Sequence, residues 1–540
     1  MPQSTAVERF ATGQVALYVF AAVFASAIAW HIAGIDGAFL ADDYGNLNAI
    51  FAASERGALW AWTLSLLHEP LGNGSYAFRP LQYVSYAFDW LAFGANPVGW
   101  RASTIALYFA NAVVAGLVVR RWLQGTPANA ALGGIIAACL LAGYPFAGDV
   151  AYYPGCRADS LTCLFSLLYL STIPADGRST APDHALRVAW LLCALLSKES
   201  AALLPAVATM LCLAISGTAG RAGFARVSYA VGAAARETWP SWAVLGGYLV
   251  WRGRLFDSIW KVYLSSTPPH DVSELLARLS SFRFIVTENI GSHHVIWSVA
   301  AVVAFVWAVA SQELRVVPKR HAAMAAALYA SALLYFVAPA FSFDVSNPFG
   351  EGARHFYAAW MCASLFCAML LAWRPLHWMP ALALVLVMFA GQSQSLAQWH
   401  SAGMQMKRIV AAIEGFAGGV RDDQYALLLL PDHQRIALFA RNAQGGIVMR
   451  PTQRADYLSR VAVMLSPDFA HWSQNLMGGK ISELKAGAPF NPAGFLGLYC
   501  WNPSVARIVP LTSGAIAIDF RAWREAADRN FADAGCLSPF

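Results

Sequence analysis

Apolar residues dominate long stretches of the first 396 residues, and the charged ones gather in the gaps between them. A bilayer core about 30 Å thick is crossed by ~20 residues of α-helix, fewer where neighbouring helices cover the ends. By that measure the pattern predicts about eleven membrane spans, over residues 11–34, 99–119, 130–147, 158–174, 186–198, 200–217, 238–256, 289–310, 321–341, 356–373 and 376–396. The fifth and sixth could form one helix by apolarity alone. Ser197, Lys198 and Glu199 would then sit in hydrocarbon at several kcal/mol per charge, so a tight reversal is expected there. The first run, Phe10 to Ile35, follows no strongly basic segment and exceeds the apolar core of a signal peptide, which predicts a retained helix.

The gaps set an orientation. With a cytoplasmic N-terminus, the inside segments carry Arg120 and Arg121, Arg178 and Arg187, Arg221, Arg226 and Arg236, Arg315, Lys319 and Arg320, and Arg374. The outer segments are mixed or acidic, with Asp36, Asp42, Asp43, Glu69, Asp89, Asp149, Asp344 and Glu351. This is the positive-inside bias, and it predicts a multi-pass protein of a bacterial-type inner (cytoplasmic) membrane with its C-terminal region periplasmic.

Two outer loops are long. In 36–98 the stretch "NLNAIFAASERGALWAWTLSLL" suits a helix lying in the membrane interface, and in 257–288 "DVSELLARLSSFRFIV" reads the same way. From Ala397 onward 25 of 144 residues are charged, against 43 of the 396 before it, and strand-like runs appear: "YALLLLPD", "GGIVM" and "AIAIDF". The expected fold is an all-α polytopic membrane domain, 1–396, followed by a small soluble mixed α/β extracytoplasmic domain, 397–540. No repeat of 20 to 50 residues is evident.

Composition agrees: 58% of the chain is hydrophobic and 13% charged, unlike a soluble globular protein. The net charge of +6 comes from scattered Lys and Arg, which argues against nucleic acid as a partner and leaves the lipid bilayer as one. Seven of nine cysteines, Cys139, Cys156, Cys163, Cys193, Cys212, Cys362 and Cys367, lie in or beside apolar runs without metal-ligand spacing. Cys500 and Cys536 stand alone in the tail. They are expected to pair if it faces an oxidising compartment, buried free thiols being the alternative.

Some polar residues are not explained by this architecture. Asp42 and Asp43, in "FLADDYGN", follow the first span, and two negative charges at the C-terminal end of a helix oppose its macrodipole. Partly desolvated and mutually repelling, such a pair would bind protons more tightly and could take one from a hydroxyl. Arg79 precedes Pro80, which reads as a first helical position; Arg157 and Asp159 stand at the mouth of the fourth span; Lys198 with Glu199 and Arg354 with His355 complete the set. Singly, each could be an ion pair anchoring a helix end. On the predicted topology all nine fall on the outer side, near helix ends, from five parts of the chain. Acidic groups with several fixed cations at one membrane boundary suit the activation of a hydroxyl and the holding of a phosphate.

In order along the chain, five stretches resemble motifs of GT-C type integral-membrane glycosyltransferases. They are "FLADDYGNL", "YAFRPLQYVSYAFDWLAFGANPVGWRASTIALYFANAV", "YPFAGDVAYYPGCRADSLTCLF", "LLCALLSKESAALLP" and "FGEGARHFYAAW". Within that type the chain is similar to the protein O-mannosyltransferase-like group, which includes the transmembrane O-mannosyltransferases with tetratricopeptide repeats. Here the repeats are missing, Cys156 separates Gly155 from Arg157, and Arg101 stands where histidine is frequent.

The resemblance implies a GT-C-like fold and an inverting transfer of a sugar from a polyprenyl-phosphate carrier to a hydroxyl of a glycan, lipid or protein at the outer face. The carrier's phosphate leaves charged, so cations rather than an acid must stabilise it. On this resemblance Asp42 is the base, with Asp43 sharing or orienting it, and Arg79, Arg157, Lys198 and Arg354 bind the donor phosphate. The arginines rank above Lys198 because a guanidinium meets phosphate in bidentate fashion. Asp159 and Glu199 support the cations, as do His355 and Tyr357 of the late arginine-tyrosine motif. A magnesium or manganese ion on Asp42 and Asp43 stays open, since two adjacent carboxylates without further spaced ligands are weak evidence for one. Two other classes remain in view: a polysaccharide polymerase or ligase using diphosphate-linked glycans, and a lipid-linked sugar transporter or flippase, which would want midplane charges and related halves.

Overall fold

The computed structural model describes residues 6–70, 77–124, 127–174, 179–218, 223–256, 268–311, 317–342, 352–373, 378–431, 433–440, 443, 445–466, 494–511 and 534–537. Helix α1 (Ala6–Ala33) leads into the long first loop, which folds as α2 (Asp42–Glu55), α3 (Leu59–Ser65) and α4 (Pro80–Phe93). The stretch expected to lie in the interface as one helix is therefore two, broken at Gly57, where φ is +66°. One face of α2, through Tyr44, Leu47, Ile50 and Ala53, is buried in protein rather than turned to lipid.

Helices α5 (Pro97–Trp122), α6 (Pro127–Ala142), α7 (Ala147–Ala151), α8 (Arg157–Ser171), α9 (Ala181–Ser197) and α10 (Leu204–Ser216) follow. Their ends are legible in the sequence. Asn96 caps α5 by accepting from the Val98 N–H, with Pro97 at the first helical position. Thr180 and Asp183 form a capping box on α9. At Lys198 the backbone is extended, and a 3-10 turn Glu199–Leu203 begins the next helix, so the interruption expected at Ser197, Lys198 and Glu199 is present. Gly116 of α5 and Gly134 of α6 let the two backbones touch: a Cβ on Gly116 would lie 2.7 Å from the Gly134 carbonyl oxygen.

The second half contains α11 (Gly223–Phe256), α12 (Val272–Ser280), α13 (Phe282–Ile290), α14 (His294–Ser311), α15 (Lys319–Ser342), α16 (Tyr357–Leu371) and α17 (Trp378–Gly418). Helices thus occupy all eleven stretches expected to span. Among the described residues six helices are long and apolar enough to do so: Gln14–Ala33, Pro97–Trp122, Glu199–Ser216, Lys319–Phe341, Ala353–Leu371 and Trp378–Gly418. A seventh would be the pair Val272–Ile290 and His294–Ala310, bent by 103°. Others fall short: α8, with 15 residues, is about 22 Å long at 1.5 Å per residue. The expected count of about eleven spans is therefore not met by length and composition, while the membrane character is.

The boundary expected at Ala397 falls inside α17. Leu396, Trp399, Ala402, Met406, Ile409 and Ile413 are buried at helical spacing and carry the helix on to Gly418. Beyond it lie β1 (Tyr425–Pro431), β2 (His433–Gln434), β3 (Ala437–Leu438), β4 (Val461–Ser466), β5 (Phe495–Asn502) and β6 (Arg507–Pro510). The main sheet has the order β4-β1-β5-β6, with β1 parallel to both neighbours and β6 antiparallel to β5. "GGIVM" forms turns instead of a strand, and "AIAIDF" lies outside the described residues. Cys500 and Cys536 are disulfide-bonded, tying β5 to the C-terminal segment.

The two ends of the helix bundle differ. At one, Trp122 donates to the Ile173 carbonyl and His321 contacts the Trp122 carbonyl. At the other meet the loop before α2, the start of α5, the α7–α8 turn, the α9–α10 break and the start of α16. Replacing Gly116 by valine should force α5 and α6 apart and cost about 1–3 kcal/mol, seen as a lower melting temperature in detergent. An unchanged melting temperature would show that the two backbones are not in contact.

Candidate active site

Asp42 and Asp43 do not end a helix; they open one. Both lie in the first turn of α2, where the macrodipole favours negative charge, so the local cost expected from sequence is absent. They are presented by a tight turn, in which the Asp43 N–H donates to the Leu40 carbonyl at 2.9 Å. Ala41 occupies its corner at φ 42°, ψ −122°, a conformation that glycine takes readily and alanine only under constraint.

The two carboxylates have different surroundings. Asp43 is 2% exposed, and each of its oxygens accepts a backbone N–H: Oδ2 from Leu40 at 3.1 Å and Oδ1 from Gly155 at 2.7 Å. Burial pushes its pKa up to about 7, against the opposing pull of those bonds and of Arg101. Asp42 is half-buried, and its Oδ2 accepts from the Tyr153 hydroxyl at 2.9 Å. The same hydroxyl receives the Asp42 N–H at 3.1 Å, and the Tyr153 ring stacks on Trp399 of α17 at 5.2 Å. Asp43 is thus a buried brace between the α2 turn and Gly155, and Asp42 is the carboxylate with an open side.

Arg101 holds the same two segments together. Its guanidinium donates to the carbonyls of Tyr152 (3.0 Å), Ile35 (3.0 Å) and Ala38 (2.7 Å). Gly37 must be glycine for this, since a Cβ would stand 2.5 Å from Arg101 Nη1. From α4, Gln82 donates to the Gly155 carbonyl at 2.9 Å and Tyr86 to the Pro154 carbonyl at 2.7 Å. The turn Pro154–Cys156 is therefore fixed from two sides, by Asp43 and by α4.

Four cations expected to bind phosphate each face a carboxylate. Arg79 bonds Glu199 at 3.0 Å, Lys198 bonds Asp159 at 2.5 Å, Arg157 bonds Asp89 at 2.5 Å, and Arg354 lies 3.7 Å from Asp149. Lys198 Nζ is also 3.4 Å from His355 Nδ1. Asp159 and Glu199 accordingly stand beside cations, as their expected supporting role requires.

Accessibility separates the four. The side chains of Arg79 and Arg354 are 15% and 16% exposed, those of Arg157 and Lys198 3% and 4%. Arg157 also donates to the Trp100 carbonyl and the Ser103 and Thr104 hydroxyls, with its face on Tyr86 at 5.1 Å. It locks α8 to α4 and α5, with little of its side chain exposed. Tyr357 is also interior, its hydroxyl 3.5 Å from the Asn111 amide and its ring stacked on Tyr108.

The remaining groups converge. The Tyr153 phenol lies within electrostatic reach of Asp42, Asp43 and Arg354, and the Tyr83 phenol within reach of Asp42 and Arg79. Cys156 lies among Arg354, Asp149, Asp159 and Lys198. Sequence reasoning missed Tyr153 as a partner of Asp42, and Asp89 and Asp149 as partners of the arginines. Only "DVAYYPG", with polar residues embedded in an apolar stretch, hinted at two of them. A divalent ion does not fit this donor set. Both Asp43 oxygens are taken by N–H donors, and among the described residues no group of three His, Cys, Asp or Glu converges on one point. Comparison of the chain with family models, curated proteins and solved structures finds no match.

Arg157→Gln should leave Asp89 buried and uncompensated, costing about 3–5 kcal/mol and much of the folded yield, whereas Arg79→Gln, at a more exposed pair with Glu199, should cost less. If Arg157→Gln melts normally, its guanidinium is not a structural pin. Asp43 makes a separate prediction. Because its pKa is raised in the folded state, the native protein holds a proton that the unfolded chain releases between about pH 4 and pH 7. Wild-type stability relative to Asp43→Asn should therefore fall as the pH rises through that window. A difference independent of pH would refute the raised value.

Proposed function

We propose that this protein is an inverting glycosyltransferase of the GT-C type, moving a sugar from a polyprenyl-phosphate carrier to a hydroxyl at the outer face of a cytoplasmic membrane. The observation that carries the reading is the half-buried Asp42 carboxylate, oriented by Tyr153, whose phenol is within electrostatic reach of Arg354, while the Tyr83 phenol is within reach of both Asp42 and Arg79. On this reading the chain crosses about eleven times, several times by short helices, and the basic residues of alternate loops assign the N-terminus to the cytoplasm and the sheet region to the outside. The Cys500–Cys536 disulfide supports that side for the sheet region, since such bonds persist in oxidising compartments.

In this reading Asp42 accepts the proton of the acceptor hydroxyl as the oxygen attacks the sugar's anomeric carbon from the face opposite the carrier phosphate. The C–O bond to phosphate breaks, and the phosphate leaves on Arg79 and Arg354, whose charge it meets as its own develops. Lys198, hydrogen-bonded to Asp159 and close to His355, adds positive charge behind them. Asp43 fixes the turn that aims Asp42. No metal is required by these steps.

Asp42→Asn should fold as wild type and lose transfer by roughly two to four orders of magnitude, the range supplied by a positioned base. The assay is purified protein with a panel of radiolabelled polyprenyl-phosphate sugars and membrane extract as acceptor source. Full turnover by Asp42→Asn would remove Asp42 from the chemistry.

A further inference from the structure

The sheet region reaches back to the acidic pair. The Ala41 N–H, directly before Asp42, donates to the Phe439 carbonyl at 2.9 Å. Phe439 is fully buried, just after β3. A few residues on, Gly446 packs on the first turn of α2: a Cβ there would lie 2.7 Å from Tyr44 Cβ, 2.9 Å from the Tyr44 carbonyl oxygen and 3.0 Å from Asn48 Nδ2. Arg450 lies over the Phe51 ring of α2 at 5.6 Å. These contacts bear on the point where the backbone is strained, Ala41 at φ 42°. A conformation of that kind costs of order 1–3 kcal/mol and persists only where its surroundings over-determine it.

We propose that the segment bearing Phe439 and Gly446 is a positioning element of the reaction centre, holding the Leu40–Asp43 turn so that Asp42 points at the acceptor. This rests on the reading of Asp42 as the base. The sheet region then acts on the chemical step, and would not be a detachable module that only captures the acceptor. Neither Phe439 nor Gly446 touches substrate; each works through the α2 turn.

The test is Gly446→Ala, whose added methyl must displace the first turn of α2. With the radiolabelled polyprenyl-phosphate sugar that the wild type turns over, kcat should fall roughly tenfold or more while the donor KM stays within about twofold, since misaiming the base spares donor binding. The acidic limb of the pH–rate profile should shift, which a loss of packing elsewhere would not cause. A folded Gly446→Ala with wild-type kcat and pH profile overturns the proposal. Should that variant not fold, amide exchange in the wild type decides. The Ala41 amide must exchange as slowly as those of β1, and fast exchange overturns the proposal equally. Asp42→Asn, run in parallel, separates the two ideas: if it stays active the base assignment fails, and if it is inactive while Gly446→Ala is normal only the positioning role fails.

Discussion

The geometry of the site depends on one buried carboxylate that accepts two backbone N–H groups from segments more than a hundred residues apart. Asp43 binds Leu40 on its own side and Gly155 on the other, and so makes the loop before α2 and the turn before α8 a single rigid piece. A carboxylate with little exposure is expensive to bury, and only groups that donate to it or oppose its charge make the burial tolerable. The two N–H donors and the nearby Arg101 do this in part, and the remaining cost appears as a raised proton affinity. The same brace places Tyr153, two residues before Gly155, against Asp42. One residue of the pair is thus buried as a brace, while its neighbour Asp42 is half-buried against Tyr153.

The cations obey a related constraint. Close to a membrane, an unpaired guanidinium or ammonium is costly, and Arg79, Arg157, Lys198 and Arg354 each stand beside a carboxylate. Pairing does not make them equivalent. Arg157 is held through Nη1 and Nη2 by Asp89, the Trp100 carbonyl and the Ser103 and Thr104 hydroxyls, and its side chain is only 3% exposed. Arg79 and Arg354 are more exposed, at 15% and 16% of their side chains. Which arginine is structural and which is available follows from burial and partner count, not from the type of residue.

Much of this was legible in the sequence. Apolar runs marked the long helices, and the charges at Lys198 and Glu199 marked the break between α9 and the next helix. Other features were hidden for definite reasons. That Asp42 opens α2 could not be read from "FLADDYGN", because the turn before it uses Ala41 in a conformation that sequence assigns to glycine. The length of α17 was hidden by its rising polarity, which masked an unbroken helical spacing of buried residues through Ile413. Partner choice is a tertiary property: nothing local tells Arg157 to bond Asp89 rather than Asp159, two positions away and engaged with Lys198.

The continuity of α17 changes how the sheet region should be understood. A helix of 41 residues is about 60 Å long, roughly twice the hydrocarbon thickness, and its far half needs protein to cover its apolar stripe. That cover comes from two sides. Trp399 stacks on Tyr153, which holds Asp42, while Gln405 and the Val410 carbonyl bond Trp501 and Gln453 of the sheet region. The helix therefore joins the acidic pair to the sheet through a rigid body rather than a linker. Close approach of Gly37 to Gly403, with the Ala38 N–H on the Gly403 carbonyl, fastens the loop before α2 to the same helix. Displacing the sheet region would strip α17 of its packing and loosen the turn that carries Asp42, so the two regions stand or fall as one cooperative unit.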